Sequence, residues 1–80
     1  MNCSCCGRKK KLFESYETID NNINICIDCS QLLYRIRDAS NAHDFSTVSL
    51  LKKQLSQKSA NKMSDDFQSW YNQFCINNGC

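Results

Sequence analysis

Two cysteine pairs, Cys3 with Cys6 and Cys26 with Cys29, constrain this chain more than any other feature. Each pair is separated by two residues and nineteen residues lie between the pairs, giving C-x2-C-x19-C-x2-C, a spacing that reads as a zinc site. A C-x-x-C turn folds tightly enough to bring two sulfurs onto one ion, and zinc takes four soft ligands in a tetrahedron. The predicted ligands of one Zn2+ per chain are therefore Cys3, Cys6, Cys26 and Cys29. Gly7 fits the same turn, because the residue after such a pair often needs a positive φ. That geometry aims backbone N–H groups at the thiolates.

Size makes the metal matter. Eighty residues fit one domain or a very small domain with an appendage, and a core this limited usually needs a metal, disulfides or a partner. Seven cysteines would leave one unpaired in a disulfide framework, so metal is the better reading. Met1 is followed by a cysteine almost at once, which leaves no room for a signal peptide, and no apolar run reaches transmembrane length. The expected location is the cytoplasm, where thiols stay reduced, with no membrane partner.

The remaining thiols are expected to lie outside the metal shell. Cys5 adjoins Cys6 and lacks the spacing, so it is expected in the turn with its thiol free. Cys75 reads as a small buried apolar residue and Cys80 as an exposed terminal thiol. His43 is not needed once four thiols complete the shell.

Beyond the first knuckle, "KLFESYETIDNNINIC" predicts a β-hairpin with Leu12, Phe13, Tyr16 and Ile19 as its apolar positions and Asp20, Asn21 and Asn22 at its turn. "CIDCSQLLYRIRDAS" predicts a helix with Cys29, Leu32, Leu33, Ile36 and Ala39 on one face. Its first turn carries the second cysteine pair, where the helix dipole favours thiolates. "SNAH" at 40–43 reads as a linker. Asp44 or Ser46 then caps a helix with Val48, Leu51 and Leu55 at helical spacing, and "QKSANK" interrupts it. Ser64 caps a third helix with Asp65 and Asp66 in its first turn and "NNG" as its stop. Phe67, Trp70, Tyr71 and Phe74 form an aromatic stripe on that helix, which reads as core or as an interface, including a homodimer interface. The fold class is thus small, zinc-stabilised α+β. Residues 1–39 form a treble-clef module of knuckle, hairpin and helix, and residues 40–80 a helical-hairpin appendage.

"CSCCGR" followed by "ICIDCSQLLYRI" resembles the N-terminal zinc-binding domain of the ClpX unfoldase, over roughly residues 3–39. The resemblance implies that the four cysteines bind zinc within a treble clef, and that such a module dimerises and recognises adaptors and substrates. Leu12, Phe13, Leu32 and Leu33 occupy the regions where that surface would form. The chain departs from the family in its extra Cys5 and in lacking any phosphate-binding loop of the ATPase kind.

Two functions follow as expectations. The first is a stand-alone protein-interaction module, an adaptor or inhibitor of a larger bacterial or phage-related machine, whose partner surface draws on Leu12, Phe13, Leu32, Leu33, Phe67, Trp70, Tyr71 and Phe74. The alternative is a regulatory nucleic-acid-binding zinc finger that uses Arg8, Lys9, Lys10 and Lys11, with Arg35, Arg37, Lys52 and Lys53. Against it, the formal charge of +2 falls to zero when zinc binds four thiolates, and Asp28, Asp38 and Asp44 interrupt any basic face. No enzyme is expected, since four thiolates close the shell that a catalytic zinc leaves open.

Overall fold

The computed structural model describes residues 2–20 and 23–80. Five elements follow one another: strands β1 (Glu17–Asp20) and β2 (Ile23–Ile25), then helices α1 (Ile27–Asn41), α2 (Phe45–Ser59) and α3 (Asp65–Asn78). The strands pair antiparallel, with Glu17 opposite Ile25 and Thr18 opposite Asn24, and the register shifts between Thr18 and Asp20. Of the predicted turn residues, Asn21 and Asn22 lie outside the described residues.

The hairpin is shorter than its apolar pattern suggests. Leu12 and Phe13 belong to an exposed turn before β1. Glu14 donates its N–H to the Lys11 carbonyl, and its carboxylate pairs with Arg8 at 2.7 Å. Those contacts close the loop locally, so neither apolar side chain is drawn into the strand.

The helices bury faces that their periodicity marks. Cys29, Leu33, Ile36 and Ala39 are buried on α1, and Val48, Leu51 and Leu55 on α2. The first helix packs chiefly on α2 and more lightly on α3. The connection between α1 and α2 is tighter than the expected linker. Ser40 and Asn41 stay helical, and the chain reverses through N–H bonds from Ala42, His43 and Asp44 to the carbonyls of Asp38, Ser40 and Ala39. His43 takes the positive φ of that turn and is exposed beside Phe45.

Asp44 caps α2 by accepting from Thr47 N, and Ser64 caps α3 by accepting from Phe67 N. Gly79 ends α3 in the left-handed region at φ 73°, the stop glycine supplies without a Cβ clash. One cluster of buried side chains runs from Cys3, Cys5 and Cys6 through Ile25, Cys29 and Ile36 to Leu55 and Phe67. The segment carrying the four cysteines and the C-terminal helices therefore share a core. Among the described residues no helix is long and apolar enough to cross a membrane.

Candidate metal centre

The first knuckle is held by main-chain bonds. Cys3 N donates to the Arg8 carbonyl at 2.8 Å, Gly7 N donates to the Cys3 carbonyl at 2.9 Å, and Asn2 bridges to Lys9. Gly7 has φ 74°, as its place after the pair predicts, and a Cβ there would lie 3.1 Å from the Lys62 side chain. The second pair is set by α1. Cys26 stands at the N-cap and Cys29 follows in the first turn, with Ser30 N bonded to the Cys26 carbonyl.

These two supports bring the four predicted sulfurs together. Cys3, Cys6, Cys26 and Cys29 are all buried, and their sulfur atoms lie within 4.8 Å of one another. The Cys3–Cys29 and Cys6–Cys26 separations are both 3.8 Å. Sulfurs placed about 2.3 Å from a tetrahedral centre stand about 3.8 Å apart, so this spacing is compatible with zinc. Among the described residues, these four cysteines form a buried cluster able to hold one metal ion.

Main-chain dipoles are already aimed at the cluster. The N–H groups of Cys6 and Cys26 point at the Cys3 sulfur from 3.4 and 3.3 Å. Hydrogen bonding to Cys29 first, and to these amides next, holds the Cys3 thiol down to about 4. The same contact with Cys3, followed by one with Cys5, pushes Cys29 up, and burial pushes Cys6 up. Without a cation the cluster therefore keeps protons, because packed thiolates repel. A divalent ion held by Cys3, Cys6, Cys26 and Cys29 would replace those protons and let all four sulfurs ionise.

Arg8 stands apart from the neighbouring lysines, since it is paired with Glu14. Its guanidinium is held charged by Glu14 first and by the Cys26 sulfur second. Its Nε is buried without a hydrogen-bond partner. A metal on four thiolates carries a formal charge of minus two, and a buried cationic N–H beside it suits that excess. Tyr16 completes the clamp by donating its hydroxyl to the Arg8 carbonyl at 2.8 Å. Sequence reasoning grouped Arg8 with the lysines, and the acidic residue six positions later was the signal that separates them.

Cys5 sits in the turn as expected, but its thiol does not face solvent. It is fully buried and lies near Cys29 and Tyr71. Cys5 thus shares the buried core with the four-sulfur cluster without being one of the four. Cys75 and Cys80 are both half-buried, so neither the fully buried nor the exposed environment expected for them is realised.

The residues proposed from sequence for partner binding fall into three places. Leu33 and Phe67 are core side chains, with Phe67 fully buried. Leu32, Trp70, Tyr71 and Phe74 are half-buried against that core, and Trp70 and Phe74 line an open groove of about 320 Å³ with Ile19, Ile25, Leu33 and Tyr34. Leu12 and Phe13 stand free, 86% and 96% exposed. Lys9 and Lys11, which precede them in the chain, are exposed as well. The chain matches no protein-family model, and comparison with curated proteins and with solved structures finds no significant match.

Proposed function

We propose that this chain is a zinc-organised protein-interaction module in which a closed four-thiolate site holds a small docking surface in place. The observation that carries this reading is the pairing of a fully buried donor set with two almost wholly exposed apolar side chains, Leu12 and Phe13, on the loop that the first knuckle anchors. Four thiolates leave zinc no open position for water or substrate, so the metal serves structure and no enzymatic role is assigned. Soft, buried sulfur donors favour zinc over hard cations, which take oxygen. A knuckle, a hairpin and a helix carrying the second pair in its first turn is the order of a treble clef. That order supports the treble-clef reading and, by analogy, a ClpX-like docking role as an adaptor or inhibitor within a larger bacterial or phage-related machine.

The nucleic-acid reading is weaker, because Arg8 is occupied by Glu14 and the metal cluster, which leaves Lys9, Lys10 and Lys11. The test compares the zinc-loaded protein with its Leu12→Ser/Phe13→Ser variant as baits in lysate of the host, with and without nuclease. A protein retained by the first bait, lost with the second and indifferent to nuclease supports the interaction module. Material lost with nuclease, or retained equally by both baits, overturns it.

A further inference from the structure

Cys75 and Cys80 are the two half-buried thiols of the chain, the other five cysteines being buried. They occupy the two ends of the hydrogen-bonded cap that closes α3. Cys80 N donates to the Cys75 carbonyl at 2.9 Å and Gly79 N donates to the Ile76 carbonyl at 3.3 Å. With Gly79 in the left-handed conformation, these bonds define a Schellman motif. Such a motif habitually brings the side chains of its first and last residues into contact, and here both of those residues are cysteine.

The geometry suffices for a covalent bond. One N–H···O=C bond of 2.9 Å between the two residues limits their Cα separation to less than about 7 Å, the outer bound for a disulfide. Cys80 also packs against the core, and burial together with the neighbouring Cys75 thiol pushes the Cys80 thiol up. Cys5 does not compete, because it is fully buried and lies against Cys29. Loss of solvent access thus shields the knuckle and Cys5, while the C-terminal pair stays within reach of a small reagent.

We propose that Cys75 and Cys80 are a redox-modification site that closes to an intrachain disulfide by exchange with a small-molecule disulfide such as oxidised glutathione. One cysteine thiolate attacks the reagent and displaces one glutathione thiolate, leaving a mixed disulfide. The second cysteine thiolate then attacks the protein-side sulfur and displaces the other glutathione. Two protein thiols are oxidised, the reagent is reduced to two thiols, and the two protein protons pass to the released thiolates. In a reducing glutathione pool the pair stays open, and it closes as that pool oxidises. Closure covalently fixes the turn that holds the Asn78 carbonyl, the acceptor of the Ser40 hydroxyl, and so pins the end of α3 to α1.

The test incubates the full zinc-loaded chain in graded mixtures of reduced and oxidised glutathione, followed by rapid quench, alkylation, intact mass and peptide mapping. The expected product has lost two hydrogens, about 2 Da, links Cys75 to Cys80, retains zinc until the quench and leaves the other five cysteines open to alkylation. Cys75→Ser and Cys80→Ser should each keep one glutathione on the surviving cysteine and form no intrachain bridge. The proposal is overturned if the native chain accumulates two glutathione adducts, links either cysteine to Cys5 or to a second chain, or reacts at neither thiol.

Discussion

The backbone N–H of Ser64 donates to the Ser4 carbonyl at 2.8 Å, so the residue that caps α3 is bonded to the turn that presents Cys3 and Cys6. The same turn is tied to the hairpin, since Ser4 N donates to the Asn24 carbonyl at 2.7 Å. Cysteine cluster, hairpin and third helix are thereby joined through main-chain bonds at Ser4. A disturbance at the cluster is expected to reach the C-terminal helices.

Metal removal should therefore unfold more than the first half of the chain. A chelator, or Cys26→Ser, is expected to abolish binding of one zinc per chain and to melt all three helices in one transition, because metal-binding energy is folding energy in such modules. Metal analysis with far-ultraviolet circular dichroism checks both halves. Cys5→Ser should keep its zinc yet lose about 1–3 kcal/mol, since a hydroxyl would replace a thiol in a fully buried place. Survival of α2 and α3 in the chelated protein would contradict the shared core.

Arg8 and the lysines beside it should separate cleanly. Arg8→Gln removes the cation beside Cys26 and is expected to weaken zinc binding about 10-fold or more, read by competition with a chromophoric chelator. Replacing Lys9, Lys10 and Lys11 together with Gln should leave zinc affinity alone and move stability by only a few tenths of a kcal/mol, about 0.5 at most. If the lysines touch nucleic acid, that triple change flattens the salt dependence of binding.

Within the aromatic stripe, the effects should follow burial. Phe67 is fully buried, with Trp70 and Tyr71 at ring separations of 5.8 and 5.9 Å. Phe67→Ala should cost about 3–5 kcal/mol. Trp70 is half-buried on the groove and stacks on Phe74 at 5.1 Å, so Trp70→Ala should cost less, about 1–3 kcal/mol. Chemical denaturation of the two variants ranks them, and the reverse order would show that the groove, not Phe67, anchors α3.

Glu17 should give the fold part of its acid sensitivity. Its carboxylate accepts from Ser30 first and from Tyr34, both on α1, and these bonds hold it below the usual carboxylate range. A depressed carboxyl contributes stability that is complete above its unfolded value and is lost as the pH falls through the folded one. The loss therefore sets in as the pH falls below about 5, near the ordinary glutamate range, and is complete only below the depressed folded value. Glu17→Gln should be less stable at neutral pH and show a shallower decline over that window. Denaturation midpoints of both proteins across the window, each saturated with zinc, provide the measurement.

Much of this molecule could be read from its chain. The C-x2-C pairs named the four sulfurs that meet, Gly7 announced its positive φ, and Asp44, Ser64 and Gly79 marked helix ends that the structure observes. These are local properties, since spacing, capping and left-handed backbone depend on a few neighbouring residues. Long-range packing was hidden. Leu12 and Phe13 have the same composition as strand residues, yet the Arg8–Glu14 pair closes their loop and leaves them outside. Phe67 and Trp70 share one helical stripe, yet the first is buried in the core and the second lines a groove. Cys5 likewise is fully buried, which its place in the knuckle turn did not reveal. The sequence by itself determined which groups can ligate, cap and turn, because those abilities are carried by single residues and their near neighbours. Tertiary structure alone decided which apolar side chains are spent on the core and which stay available, because burial is a property of contacts between segments distant in the chain.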